Sequence, residues 1–495
     1  MSEGLGRVGS PPVDASPPVA LAALAGDAEI RGDRATPITG VAYDSRDVSA
    51  GSLFFCIAGS AADGHDHAVE AAAAGAVAAV VERWLDDVAL PQLRVPSVRA
   101  AMGPMSSIVF GDPAGRLVTV GVTGTNGKTT MTYLLEQVFR EAGLRPGVIG
   151  TTGARMDGEP VRLARTTPEA PDLHRLLATM AAGGIGAVAM EISSHALAQG
   201  RVGGLVVDIA AFTNLSHDHL DYHRSMEDYF AAKARLFTPA HARRGVVCVD
   251  DDWGRRLTSE ATIPVSTIAI DGDADLRATD VTADRDGITF RVDDTVVRSA
   301  LRGRFNAANC LGAFAVGRRL GFDDGILARA IAAVPGVPGR MEPVDAGQDF
   351  LVVVDYAHTP DSILGVLRGA RPLSAGRVIV VFGCGGDRDQ TKRPRMGEVA
   401  TTEADLTVIT TDNPRSEDAR SIIDQIVPGA VAGGGRFVVE PDRQRAIALA
   451  VGEAGAGDVV VIAGKGHERT QELGDEIVPF DDREVAREAL TARGT

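Results

Sequence analysis

The chain has 495 residues, more than the roughly 250–300 that one hydrophobic core organises, so several domains are expected. With 45% hydrophobic and 23% charged residues the composition is that of an ordinary globular protein, which excludes wholesale disorder. A formal net charge of −16 repels nucleic-acid phosphates and anionic membrane surfaces, yet leaves room for a small anion in a local basic pocket.

In chain order, the segment MSEGLGRVGSPPVDASPPVALAALAG lacks a basic region leading into an apolar core. Its Pro, Ser and Gly content predicts a loose tail over residues 1–35 rather than a signal peptide. The stretch AVEAAAAGAVAAVV is broken by Glu70 and predicts a buried helix and strand, too short for a membrane span. A soluble, cytoplasmic protein is expected. Cys56, Cys248, Cys310 and Cys384 form no CxxC pair and read as free thiols of a reducing compartment. Glycine-rich turns separate β-branched runs from alanine-rich helical stretches, the pattern of α/β units on largely parallel sheets. Three blocks follow the tail: residues 36–112, with ITGVAYDSR and SLFFCIAG strand-like; residues 113–338, opening on LVTVGVTG; and residues 339–495, with FLVVVDY, VIVVFG, LTVITT and DVVVIAG. The apolar runs of the last block end in Gly-rich or polar loops, where open α/β sheets bind ligands.

The second block carries the sharpest motif. The apolar strand Val118–Val122 enters Gly124, Thr125, Asn126, Gly127, Lys128, Thr129 and Thr130, and a helical MTYLLEQVFREAG follows. Glycines admit backbone N–H groups to phosphate, a helix N-terminus adds positive potential, Lys128 suits β/γ oxygens, and a threonine hydroxyl suits Mg²⁺. Valine at position 122 breaks the common GxxxxGK[ST] spacing, and the compact GTNGKTT favours ATP over an ordinary GTPase. Downstream, AVAM delivers Glu191 at a strand end, and NLSHDHLDYH gathers His217, Asp218, His219 and His223. Taken alone that cluster suits a zinc hydrolase or a polar helix start; beside a phosphate loop it better suits the Mg²⁺ of a nucleotide complex. From spacing alone Lys233 reads as an exposed helical lysine.

Taken in order, GTNGKTT, MEISSHAL, TNLSHDHLDYH with Lys233 behind it, DYAHTPDS, FGCGGDRD, DNPR and AGKGHE resemble the Mur ligase family from about residue 38 onward. The resemblance implies three α/β domains: an N-terminal UDP-sugar-binding domain, a central phosphate-loop ATPase-like domain and a C-terminal Rossmann-like domain. It implies ATP-dependent amide ligation in peptidoglycan precursor synthesis, through an acyl phosphate on the D-glutamyl carboxylate of UDP-MurNAc-L-Ala-D-Glu, with two Mg²⁺ ions as cofactors. Lys128, Thr129 and Thr130 then hold phosphate and the first ion, with Glu191 nearby. His219 and a carbamylated Lys233 hold the second. Asn306, Arg340 and Asp355 resemble the adenine, phosphate and ribose contacts; the sequence alone would read them as a helix cap, a linker cation and a strand-end cap. Tyr43, Ser45 and the turn Ser60, Ala61 and Ala62 fall at the uridine site. Thr166, Thr167, Ser193, Gln199 and Arg201 fall at the muramoyl dipeptide. Arg165 stands where some relatives carry asparagine.

The resemblance implies that the incoming amino acid is bound by Arg388, Asp412, Asn413, Pro414, Arg415, Gly464 and Glu468. Local sequence explains Asn413 as a helix cap and Pro414 as the first helical residue, but not Arg415. Its planar fork suits the distal carboxylate of meso-diaminopimelate, with Glu468 on the distal ammonium; lysine would leave the guanidinium unpaired. A diaminopimelate-adding ligase is expected, monomeric, with small-molecule substrates and neither nucleic-acid nor membrane partners. The alternatives are a lysine-adding relative, a folylpolyglutamate synthase-like ligase and, from another class, a phosphate-loop ATPase switch.

Overall fold

A computed structural model describes residues 17–59 and 62–494. The N-terminal domain is a five-stranded sheet in the order Glu29–Arg31, Gln92–Arg94, Ala76–Val81, Ser52–Phe55, Gly40–Ala42, parallel except at the first pair. The alanine-rich stretch divides into the helix Ala68–Ala73 and the buried strand Ala76–Val81. The tail expected over 1–35 is too long. Val19–Ala20 pairs with Pro37–Ile38, and the short helix Leu21–Ala25 sinks Leu21, Leu24 and Ala25 into the core. The Pro-rich flank hid the apolar LAALA, whose burial is reason enough to fold. The rest of that tail, residues 1–16, lies outside the described residues.

The middle domain is built on a nine-stranded sheet whose centre is the strand Val118–Thr123, flanked in parallel by Ala187–Glu191 and Val207–Phe212. The chain leaves Val118–Thr123 through the helix Lys128–Glu141 to Pro146–Gly150, beyond Ala187–Glu191. It later returns on the other side as Val207–Phe212. The order therefore reverses at the central strand, and the crevice this opens at the strand C-termini is where such sheets bind ligands. Both faces are covered: Leu134, Leu135, Phe314 and Leu327 are buried on one side, Leu173, Leu177, Phe230 and Phe237 on the other.

The C-terminal domain is a six-stranded sheet, Glu342–Pro343, Leu351–Asp355, Val459–Ala463, Val378–Phe382, Leu406–Ile409, Phe437–Val439, with only the first pair antiparallel. The four inner strands are almost wholly buried, as valine-rich runs covered on both faces should be, while the two edge strands are partly exposed. All four cysteines are buried and free. Among the described residues no helix is long and apolar enough to cross a membrane.

The domains are tied at specific points. Tyr43 donates to Asp172 at 2.6 Å and Arg175 donates to the Val41 carbonyl at 3.1 Å, joining the N-terminal and middle domains. Arg285, at a hairpin turn of the middle domain, donates to the carbonyls of Leu373 (2.7 Å) and Gly457 (3.2 Å) in the C-terminal domain. The linker passes Gly339 at φ +65°, where a Cβ would stand 2.2 Å from the His467 nitrogen.

Candidate active site

The crevice at the central strand is one wall of a cleft of about 770 Å³, and the C-terminal domain supplies the other. The phosphate loop is held open by its neighbours. Thr125 N–H donates to the Asn214 carbonyl and Asn126 N–H to Asn214 Oδ1, both at 2.9 Å, while Thr213 Oγ1 donates to the Asn126 carbonyl at 2.6 Å. Gly124 (φ +143°) and Gly127 (φ +86°) are required here. A Cβ on the first would lie 1.9 Å from Thr213 Oγ1, and on the second 2.2 Å from Asn309 Oδ1. Lys128 opens the following helix, and Thr129 and Thr130 fill its first turn facing the cleft.

Two lysines converge beneath this loop. Lys128 Nζ donates to the carbonyls of Gly124 (3.0 Å) and Thr125 (2.8 Å), and Lys233 Nζ donates to the same Gly124 carbonyl at 2.7 Å. Lys233 is 1% exposed, so the exposed lysine that its spacing suggests is buried instead. Burial, then the charge of Lys128, holds its pKa well below that of a free lysine, with Asp218 opposing. Lys128 is also shifted down by burial, against Glu191 and Asp218.

Glu191 is almost wholly buried at its strand end, where Thr151 donates through N–H to Oε1 (2.9 Å) and through Oγ1 to Oε2 (3.0 Å). His219 sits at φ +55° beside Asp218, a backbone state that non-glycine residues hold only where the surroundings impose it. Burial lowers its pKa and keeps the imidazole neutral, as a metal ligand must be. Thr130, Glu191, His219 and Lys233 all line the cleft. Hydroxyl, carboxylate and imidazole fit a hard cation shared with phosphate; an amine does not, and Lys233 fits only once converted to an oxygen donor.

From the facing wall, Arg340 in the linker donates through Nη2 to Thr129 Oγ1 at 3.1 Å, and its guanidinium lies 4.6 Å over the Tyr356 ring. Asp355 accepts from Met341 N–H (2.7 Å) and Ala357 N–H (2.8 Å), so it does cap its strand end while facing the cleft. Burial raises its pKa, partly offset by Arg340. Asn306 is not at the cleft surface: it donates to the Arg302 carbonyl at 2.7 Å and accepts from Asn309 at 2.8 Å, and Asn309 is the residue facing the loop.

Thr166, Thr167, Ser193 and Arg201 line the far end of the cleft, and Arg165 joins them, paired with Glu169. Gln199 stands behind, accepting from Arg201 Nη2 at 2.5 Å. With Arg340, Arg388 and Lys128 this makes the cleft locally cationic in an acidic protein. Tyr43, Ser45 and Ala62 lie apart from it in the N-terminal domain. Ser45 donates to Glu70 at 2.9 Å and Ala62 accepts from Gly59 N–H at 2.9 Å; Ser60 and Ala61 lie outside the described residues.

Of the residues expected around the amino acid, only Arg388 lines the cleft; the others gather at adjoining strand ends. Asn413 is not a helix cap. The helix begins at Ala419 with Asp418 as its cap, and Pro414 lies in the preceding loop. Asn413 Nδ2 instead donates to Glu468 Oε2 (2.9 Å), while its Oδ1 accepts from Lys465 Nζ (2.8 Å) and Glu472 N–H (3.1 Å). Lys465, fully buried, also donates to Glu468 Oε2 at 3.0 Å. Gly464 at φ +117° admits Asp412: a Cβ there would meet Asp412 Oδ2 at 2.3 Å. Sequence reasoning missed Asn214, Asn309, Tyr356 and Lys465. The GKGHE motif could have pointed to Lys465 and TNLSHDHLDYH to Asn214; nothing local marks Asn309.

Three family models match the chain: "Mur ligase family, catalytic domain" over residues 37–104, "Mur ligase middle domain" over 122–317 and "Mur ligase, glutamate ligase domain" over 339–466. A UDP-N-acetylmuramoyl-L-alanyl-D-glutamate–2,6-diaminopimelate ligase of Streptomyces coelicolor is 46% identical over 473 residues, 92% of this chain and 93% of that protein. One from Geobacillus thermodenitrificans is 45% identical, covering 92% and 95%. A solved structure of an enzyme of that name superposes with a TM-score of 0.71 at 34% identity, covering 97% of this chain and 100% of that one. MurF from Acinetobacter baumannii, 17% identical, shares the fold with a TM-score of 0.64 over 96% of this chain and 98% of its own.

Proposed function

The chain belongs to the Mur ligase family, and from that premise we propose that it is an ATP-dependent ligase joining meso-2,6-diaminopimelate to the D-glutamyl carboxylate of UDP-MurNAc-L-Ala-D-Glu. The observation that carries this reading is the cleft: a phosphate loop on one wall, cationic side chains at the far end, and a second domain opposite. A carboxylate must be activated before it can acylate an amine, and activation by phosphorylation brings one anion against a polyanionic nucleotide. Lys128 and the N–H groups of the first turn of its helix receive the phosphates; Arg340, already on Thr129, stands beside them. Asp355 and Asn306 are assigned to the nucleoside, with Asn309 the member of that pair facing the cleft. Arg201, Thr166, Thr167 and Ser193 orient the acceptor carboxylate, with Gln199 bracing Arg201. Tyr43, Ser45 and the Ser60–Ala62 turn are assigned to the uridine.

Two Mg²⁺ ions fit this donor set, held by Thr130 and Glu191 and by His219 and Lys233, the latter as its carbamate. When bound, the ions neutralise phosphate charge as the acyl phosphate forms. A buried amine of lowered pKa is the neutral nucleophile that carbamylation by CO₂ requires. Arg388 and the cluster of Asp412, Asn413, Pro414, Arg415, Gly464 and Glu468 present the incoming amine. The enzyme so read is a cytoplasmic monomer acting on soluble substrates.

Phosphate release with ATP, Mg²⁺ and UDP-MurNAc-L-Ala-D-Glu, comparing meso-diaminopimelate with L-lysine, tests the reading. Release only with diaminopimelate, and a product heavier by one such residue, is expected. Release with lysine would overturn the specificity, and ATP turnover independent of both co-substrates would overturn the ligase.

A further inference from the structure

Arg415 is tightly constrained within the amino-acid cluster. Its φ of +53° is one that a non-glycine residue keeps only under external constraint, and the constraint is visible. Arg415 N–H donates to the Glu472 carbonyl at 3.3 Å, Nε pairs with Glu472 Oε2 at 2.9 Å, and Nη1 donates to the Gly386 carbonyl at 2.8 Å. Two of the three guanidinium nitrogens are therefore committed. Only Nη2 has no protein partner among the described residues, so Arg415 does not offer the free two-pronged fork that its residue type suggests.

The acid assigned to the distal ammonium is also committed. Glu468 Oε2 accepts from both Asn413 Nδ2 and Lys465 Nζ, so its charge is already balanced by a buried cation. Glu472 is also paired, through Oε2 with Arg415, but it is the more exposed of the two acids, 40% against 29% for Glu468, and its Oε1 has no protein partner among the described residues. Its backbone N–H is fixed on Asn413 Oδ1 at 3.1 Å, which anchors it to the same cluster.

We propose that Glu472 is a specificity-determining residue: it positions Arg415 through Nε and supplies the anion for the distal ammonium of the incoming amino acid. In diaminopimelate the distal carboxylate and ammonium share one carbon and are necessarily neighbours. Arg415 and Glu472 are neighbouring opposite charges, the complement of that pair. An amino acid with a distal carboxylate alone meets the repulsion of Glu472, and one with a distal ammonium alone meets that of Arg415. This rests on the functional reading above and names a residue that reading does not use.

The test uses the full-length enzyme and three acceptors: meso-diaminopimelate, L-lysine, and L-2-aminopimelate, which has the distal carboxylate without the ammonium. In Glu472→Gln, KM for diaminopimelate should rise about tenfold while kcat and the KM values for ATP and the UDP-sugar stay within about twofold. The preference for diaminopimelate over aminopimelate should collapse, because repulsion of the bare carboxylate is gone. An unchanged preference in a variant whose wild type uses diaminopimelate overturns the inference alone. A wild type that does not use diaminopimelate overturns the functional reading and the inference with it. Equal loss with diaminopimelate and aminopimelate in both Glu472→Gln and Glu472→Ala marks a merely structural residue and also overturns it.

Discussion

Lys233 shows how far one side chain can depart from its local signal. Its helix Met226–Ala234 gives no hint that position 233 faces inward, yet the amine rests on the Gly124 carbonyl beside the half-buried Lys128. Burial beside the charge of Lys128 disfavours the cationic form of Lys233 and favours the neutral amine that the proposed carbamate needs. Lys233→Ala should cost more than about 100-fold in turnover, and a short-chain carboxylic acid should restore part of it. Restoration is measured as phosphate release against carboxylate concentration; none at any concentration would count against the carbamate. Gly127 is a second such position. A Cβ at Gly127 would meet Asn309 Oδ1, so Gly127→Ala should raise KM for ATP by about tenfold or more, measured at saturating co-substrates.

At the scale of elements, legibility followed locality. The central strand, the phosphate loop and its helix were readable because each is marked within a dozen residues, as were the valine-rich strands ending at Asp355, Phe382 and Ala463. The helix Leu21–Ala25 was hidden by its proline-rich flank, and the cap read at Asn413 belongs to Asp418 because tertiary bonds to Lys465 and Glu468 outcompete local capping. The orientation of Arg415 depends on a hairpin more than 50 residues away, a distance over which no pattern in the chain carries information. The linker is another long-range element. Gly339 passes within reach of Gly466 and His467, and its positive φ bars a side chain there on two counts. Gly339→Ala should lower stability by about 2 kcal/mol, read from the denaturation midpoint, and impair activity beyond what that loss explains.

For the molecule as a whole, imidazoles that are fully or partly buried make stability fall with acidity. His174 is fully buried in the middle domain, its Nε2 2.9 Å from the Gly203 carbonyl, and burial lowers its pKa; His467 is lowered to about 4 by burial and then by Arg340. The unfolded chain takes up these protons near the ordinary histidine value and the folded chain refuses them, so stability drops as pH falls below about 6.5. The melting temperature should decline from about pH 7 to pH 5, and His174→Gln, which has one such group fewer, should show a shallower decline. Arg340 joins the scales. One guanidinium touches the phosphate loop through Thr129 and lies over Tyr356 of the C-terminal domain, so the seating of that domain and the occupancy of the loop are a single thermodynamic cycle. By reciprocity, whatever factor nucleotide binding contributes to docking the C-terminal domain, docking returns to nucleotide affinity. A small molecule that lodged beneath Arg340 and held the two walls apart would therefore weaken nucleotide binding without occupying the nucleotide's own site, and nucleotide would displace it by the same factor.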